Sequence, residues 1–253
     1  MLSVTDHDTT AGLDEAAAAA SSAGLTFVTG IEVTAVEQAT DVHLLGYFFD
    51  PASGDLADLL AAQRADRHRR VADICRRLDD LGYGVDLPAL DRPGAERQRP
   101  VGRPAVARAL VEAGHTASIQ EAFERFLAPG CPAFVERRGV SPADVVSVVT
   151  RAGGLCSLAH PGLLDRDGWI QSFVAGGLTA LEVFHGDHGP ADEARYAALS
   201  AEHRLARTGG SDFHGDDDGR TRRLGRIGLP VEAFTELVAR AVRLGCARVP
   251  RWA

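Results

Sequence analysis

Short β-prone runs that end in histidine and carboxylate side chains recur along this chain, with helical stretches between them. That recurrence limits its fold more than any other feature. The first comes at once: Leu2-Ser3-Val4-Thr5 runs into Asp6-His7-Asp8, and a helix is predicted from Leu13 to Ala23, before Gly24. Leu155–Ala159 ends in His160-Pro161-Gly162, and Leu178–Phe184 ends in His185. Leu205–Thr208 leads through Gly209-Gly210 to Asp212 and His214. Alternation of this kind predicts parallel strands with helices packed outside. In a barrel of parallel strands the C-terminal ends share one face, so these polar groups would converge on one pocket.

Two further apolar runs add to the set, Leu25–Val36 with Glu32 inside it and Asp41–Phe49 with His43. A carboxylate inside an apolar strand is costly to bury unless it is paired or binds a metal. His43, between Val42 and Leu44, also fits a core histidine whose nitrogens are satisfied, and a lone histidine after a strand is more often structural. What favours a site is the company. Imidazoles mixed with carboxylates suit Mn, Fe or Zn, and the mixture is too nitrogen-rich for Ca or Mg. His68, His115 and His203 fall on helical or loop segments and read as surface residues, and His188 as a loop histidine without a role.

Between the β-rich parts, residues 60–138 lack strand signals. Helical periodicity covers Asp55–Leu81, Pro104–Ala113 and Ser118–Phe126, with Ser118 and Glu121 spaced for a capping box. We therefore expect a helical insert at 60–138 and a β/α domain built from 1–59 and 139–253. Ser141-Pro142 opens the next helix, Pro190–Glu202 forms another, and Val231–Leu244 closes the chain.

A net charge of −8 argues against a broad nucleic-acid-binding surface, so no stable nucleic-acid complex is expected. A small anionic substrate stays compatible, because a bound cation inverts the local field. Cys75, Cys131, Cys156 and Cys246 show no C-x-x-C spacing and read as reduced thiols of a cytoplasmic protein. No apolar run reaches membrane-spanning length, and no membrane association is expected. There is no G-x-S-x-G elbow, phosphate-binding glycine loop or dinucleotide fingerprint, which leaves the histidine and carboxylate set as the chemistry-bearing signal.

The motifs Thr5-Asp6-His7-Asp8-Thr9, Gly30-Ile31-Glu32, Val42-His43-Leu44-Leu45-Gly46-Tyr47, Leu158-Ala159-His160-Pro161-Gly162, Glu182-Val183-Phe184-His185 and Gly210-Ser211-Asp212-Phe213-His214-Gly215 stand in that order along the chain. Together they resemble the polymerase and histidinol phosphatase (PHP) superfamily of metal-dependent phosphoesterases. The resemblance is greatest to the branch that removes the 3′-phosphate of nucleoside 3′,5′-bisphosphates and trims short oligoribonucleotides from the 5′ end. It implies an α/β fold, a distorted (β/α)7 barrel with a helical insert. It also implies divalent ions, Mn first with Fe or Zn as alternatives, and a small phosphorylated nucleotide as substrate. Carried over by position, the metal ligands would be His7, Glu32, His43, His160, Asp212 and His214. His185 would lie at the substrate phosphate, and Asp8 and His185 are the candidates for proton transfer. Arg103-Pro104 resembles a substrate-contacting Arg-Pro-His segment in which Ala105 replaces the histidine, which leaves Arg103 as the candidate there.

The family opens with a strand carrying His-x-His and a nearby metal-binding Asp, and nothing before Met1 supplies them. The resemblance therefore implies a barrel lacking its first strand and a weakened metal cluster. Two other readings stay open. One is a short, weakly active or inactive remnant that binds metal or nucleotide. The other is a related barrel hydrolase acting on amides, which would call for a carboxylated lysine bridge in a chain that has no lysine. The oligomeric state is not legible.

Overall fold

The computed structural model describes residues 1–86, 102–213 and 224–250. It divides the chain into two compact units, Met1–Leu59 with Val140–Ala253, and Leu60–Gly139. The first unit is a six-stranded curled half-barrel with the strands in sequence order: β1 (Leu2–Val4), β2 (Phe27–Glu37), β3 (Thr40–Tyr47), β4 (Leu155–Leu158), β5 (Ala180–His185) and β6 (Ala206–Gly210).

The sheet is mixed, which corrects the expectation of parallel strands throughout. β1 with β2, β4 with β5 and β5 with β6 are parallel, but β3 runs antiparallel to both β2 and β4. The reason lies at Gln38-Ala39. These two residues join β2 to β3 with φ of 47° and 63°, and a two-residue loop can only connect antiparallel neighbours. No glycine or asparagine marks this turn, so the sequence carries no hairpin signal there. One consequence reaches the site: His43 comes from the middle of an antiparallel strand and sits across from Thr34, on the same face as Glu32.

The longer helices of this unit lie close to their predicted spans. α1 (Leu13–Ser22) links β1 to β2. α5 (Pro142–Arg151) starts at Ser141, whose Oγ accepts the Asp144 amide while Asp144 accepts the Ser141 amide, a complete capping box. The region after β4 holds α6 (Pro161–Leu164) and α7 (Ile170–Ala175), short helices without periodicity long enough to read in the sequence. α8 (Pro190–Glu202) follows β5. The closing helix α9 (Val231–Leu244) packs Leu237, Val238 and Ala241 in one cluster with Val28, Leu155, Ala180 and Ala206 of four strands and with Phe48 just past β3. That contact buries one apolar face of α9, while Ile31, Val33, Leu44, Val145, Leu158 and Leu181 are buried elsewhere in the unit.

The described part of the second unit is helical. α2 (Gly54–Asp80) runs into it, followed by α3 (Arg103–Glu112) and α4 (Ile119–Ala122), which continues as a π-helical turn over Phe123–Leu127. Its core is its own: Val71, Ile74 and Leu78 pack with Val106, Leu110, Phe126 and Leu127. Ser118 caps the Glu121 amide as expected, but the Glu121 carboxylate reaches back to the amide of Ala117, not to that of Ser118. No helix among the described residues is long and apolar enough to cross a membrane.

Candidate metal centre

β1 ends at Val4, but the chain touches β2 again three residues later. The Glu32 amide donates to the Asp6 carbonyl at 3.1 Å and the Asp8 amide to the Glu32 carbonyl at 2.8 Å. These bonds set His7 beside Glu32. Asp8, buried and at φ 53°, adds a third tie through Oδ1, which accepts the Thr34 amide at 3.1 Å. The backbone bonds around it make Asp8 a clamp between the first loop and β2.

Glu32 is the centre of the arrangement. Its Oε2 lies 3.5 Å from His7 Nε2, and its Oε1 lies 2.7 Å from His43 Nδ1 and 3.4 Å from His160 Nε2. His43 Nδ1 and His160 Nε2 are themselves 3.1 Å apart. The rings of His7, His43, His160 and His185 follow one another at centroid spacings of 5.0, 5.0 and 5.6 Å. Burial alone would push the Glu32 carboxyl up. Hydrogen bonds from His160 and His43 and the charge of His7 outweigh it and hold the group well below the usual carboxylate range. His160 answers in the opposite sense: burial lowers it, but the bond to Glu32 and its charge raise it above the ordinary histidine value.

His160 and Asp212 both sit just past strand ends in left-handed backbone, at φ 26° and φ 50°. Such conformations in non-glycine residues concentrate where the surroundings impose them for a purpose. The His160 amide donates to Glu182 Oε2 at 2.8 Å. Burial, with the charge of Glu32 adding to it, pushes the Glu182 carboxyl up to about 7, against the pull of His185 and the His160 amide.

His185 is buried at the end of β5. Its Nδ1 accepts the Asp187 amide at 3.1 Å, which leaves the proton of a neutral ring on Nε2. That Nε2 is 3.5 Å from Asp212 Oδ2 and has no hydrogen-bond partner among the described residues. A protonated Nε2 is a donor, suited to an anionic oxygen and not to a metal. His185 thus differs from His7, His43 and His160, whose nitrogens lie within 3.5 Å of the Glu32 carboxylate.

Of the residues singled out in the sequence, His7, Glu32, His43 and His160 meet at one point, and Asp212 joins them through His185. His214 lies outside the described residues. Arg103 opens α3 in the second unit, its guanidinium 5.9 and 5.8 Å from the ring centres of Phe123 and Phe134. Two residues carry more than their sequence reading allowed. Glu182 is buried directly behind His160, and the signal that marked Glu32, a carboxylate inside an apolar strand, was present there too. His188 is buried and bonded at both ring nitrogens, which nothing in its glycine-flanked loop announces.

The donor set fits a divalent transition metal. One ligand atom each from His7, Glu32 and His43 lies within 4.8 Å of the others, and His160 Nε2 stands beside them. Imidazole nitrogens gathered around a carboxylate held deprotonated form a donor set that a divalent cation can take over from the protons. A thiol nucleophile has no place in it: burial pushes the Cys156 thiol up to about 12.

No family model matches the chain. Comparison with characterised proteins is informative. The chain is 34% identical over 253 residues to the 3′,5′-nucleoside bisphosphate phosphatase of Chromobacterium violaceum, covering 96% of this chain and 88% of that one. It is 35% identical over 216 residues to the phosphoribosyl 1,2-cyclic phosphate 1,2-diphosphodiesterase of Eggerthella lenta, covering 85% and 82%. It is 32% identical over 223 residues to the 5′-3′ exoribonuclease Rnm of Salmonella typhimurium, covering 84% and 74%. Among solved structures, a protein assigned as a metal-dependent phosphoesterase from Bifidobacterium adolescentis superimposes with a TM-score of 0.78 at 31% identity, covering 94% of this chain and 85% of that one. One described as an amidohydrolase from Chromobacterium violaceum, with bound sulfate and no metal, gives 0.76 at 33% identity, covering 94% and 86%.

Proposed function

Because this chain belongs to the PHP family of metal-dependent phosphoesterases, we propose that it hydrolyses phosphate esters of nucleotides. The 3′-phosphate of nucleoside 3′,5′-bisphosphates is the first substrate of this reading, and short oligoribonucleotides are the second. The observation that carries it is the convergence of His7, His43 and His160 on a Glu32 carboxylate that stays charged.

In this reading His7, Glu32, His43, His160, Asp212 and His214 hold divalent ions, with Mn as the favoured metal. An ion held by these residues would supply a water of lowered pKa and positive charge to offset what develops on the phosphoryl oxygens. His185 donates its Nε2–H to a phosphate oxygen, since the Asp187 amide occupies Nδ1. Asp8 positions Glu32 and His7 through the Thr34 and Glu32 backbone, and this leaves His185 as the stronger of the two proton-transfer candidates. Arg103, whose planar guanidinium suits bidentate contact, takes a second phosphate of the substrate. With four free cysteines and a net charge of −8, we place the protein in the cytoplasm, acting on a small nucleotide without a stable nucleic-acid complex.

Metal content and phosphate release from adenosine 3′,5′-bisphosphate test this. A chain carrying Mn should release phosphate, lose the activity with chelator and regain it with added Mn, and Glu32→Gln should abolish both binding and turnover. A 5′-phosphorylated trinucleotide and a ribose 1,2-cyclic phosphate ester, assayed in parallel, rank the substrate classes. Metal bound with no hydrolysis of any of the three would overturn the nucleotide substrate reading.

A further inference from the structure

His188 lies between two strand ends that serve the metal centre. Its Nδ1–H donates to the Val183 carbonyl at 2.8 Å and its Nε2 accepts the Gly162 amide at 3.2 Å, so both bonds require a neutral ring with the proton on Nδ1. The ring is packed on both sides, with centroids 5.2 Å from His185 and 5.2 Å from Tyr196. Tyr196 is anchored in turn by its hydroxyl, which donates to Asp167 Oδ1 at 3.3 Å. Gly162 makes the approach possible, because a Cβ there would lie 2.9 Å from His188 Cδ2 and Nε2.

What this bridge holds is the backbone of His160, two residues before Gly162. At φ 26° and ψ 58° that backbone is in a region a non-glycine residue keeps only where its surroundings over-determine it. Two side chains from β5 and its exit supply the restraint. Glu182 takes the His160 amide on one side, and His188 takes the Gly162 amide on the other. We propose that His188 is a positioning residue for the metal centre: by pinning Gly162 to Val183 it keeps His160 turned so that Nε2 faces Glu32 and His43. The proposal rests on the metal reading of the site, and it assigns a role to a histidine that touches neither the proposed ions nor the substrate.

Three substitutions separate the two bonds from the packing. His188→Phe keeps a ring and loses both bonds. His188→Asn restores a donor at the Nδ1 level only. His188→Gln restores an acceptor near Nε2. Loss of the Gly162 bond in His188→Phe and His188→Asn should strip protection from the Gly162 amide in hydrogen exchange and weaken Mn binding about 10- to 100-fold, the usual effect of removing a partner that orients a ligand. His188→Gln should recover most of both losses. Gly162→Ala, which crowds the ring and leaves its nitrogens in place, should weaken Mn binding in the same direction, and thermal melting verifies that each variant is folded. Mn affinity equal to wild type in His188→Phe and His188→Asn would overturn the proposal, as would a Gly162 amide whose exchange does not change. A wild-type chain that binds no Mn would instead sink the metal reading. The His160 Cα chemical shift in the metal-free protein would then decide the positioning: movement in His188→Phe and His188→Asn with recovery in His188→Gln supports it, and no movement refutes it.

Discussion

His160 shows how one residue joins strain, charge and pH dependence. Its ring faces a carboxylate that stays ionised, so it holds a proton to higher pH than an ordinary histidine does. A metal must displace that proton, and affinity for divalent ions should therefore rise with pH through neutrality and continue to rise above 6.5. In the metal-free protein the sign is reversed. A group raised in the folded state stabilises it fully below its unfolded pKa and loses that contribution as pH rises through the folded value. Metal-free chain should thus lose the His160 contribution to stability as the pH is raised from 6.5 through the higher folded value, while Mn affinity grows. Calorimetric Mn titrations with thermal melts across that range measure both slopes, and slopes of the same sign would contradict the Glu32–His160 coupling. The sequence made His7 and His160 visible at strand ends, and Glu32 and His43 visible as polar residues within apolar runs. It did not make Glu182 or His188 visible as partners, because their roles depend on which backbone amides the fold brings within 3.2 Å of them.

Elements act on the site through their spacing. β1 is only three residues long and depends on β2 for its alignment. Gly30 lets the two approach, since a Cβ there would clash with Ser3 Oγ and lie 2.8 Å from the Val4 carbonyl oxygen. Gly30→Ala must push β1 outward, at a cost of about 1–3 kcal/mol. Because His7 follows β1 and Glu32 follows Gly30 on β2, Mn affinity should fall with it. Urea unfolding and Mn titration of Gly30→Ala read the two effects, and Ser3→Gly in the same chain should restore part of each. Unchanged stability would mean that β1 is not held as tightly as its contacts show. The elements themselves were largely readable: the helices over 142–151, 190–202 and 231–244 and the strands around Glu32, His43 and His160 follow from caps and apolar runs. Strand direction was not. Gln38-Ala39 forms the two-residue turn that sends β3 back antiparallel to β2, in glycine-like backbone without glycine-like residues, so local preference did not announce it.

Among the described residues, each unit has a core cluster of its own. Leu110, Leu127 and Ile74 are fully buried in the second unit, whereas Leu237 and Ala241 are buried against the sheet of the first. Leu110→Ala should cost about 2–5 kcal/mol in the stability of the Leu60–Gly139 unit through the cavity it leaves. The Mn affinity of the first unit should stay at its wild-type value. Hydrogen exchange resolved by segment, with Mn titration of the same variant, distinguishes this from a single shared core, in which both would fall. Composition, the alternation of strand and helix, and the types of residue at the strand ends were determined by the sequence alone, because each depends on neighbours a few positions apart. The same six motifs carried the family. Tertiary structure decided the rest: the reversal of β3, the tautomer of His185, and the meeting of His7, Glu32, His43 and His160 around one carboxylate. Those residues come from positions up to 153 apart along the chain (160 minus 7), and such convergence follows only from the closure of a curled sheet.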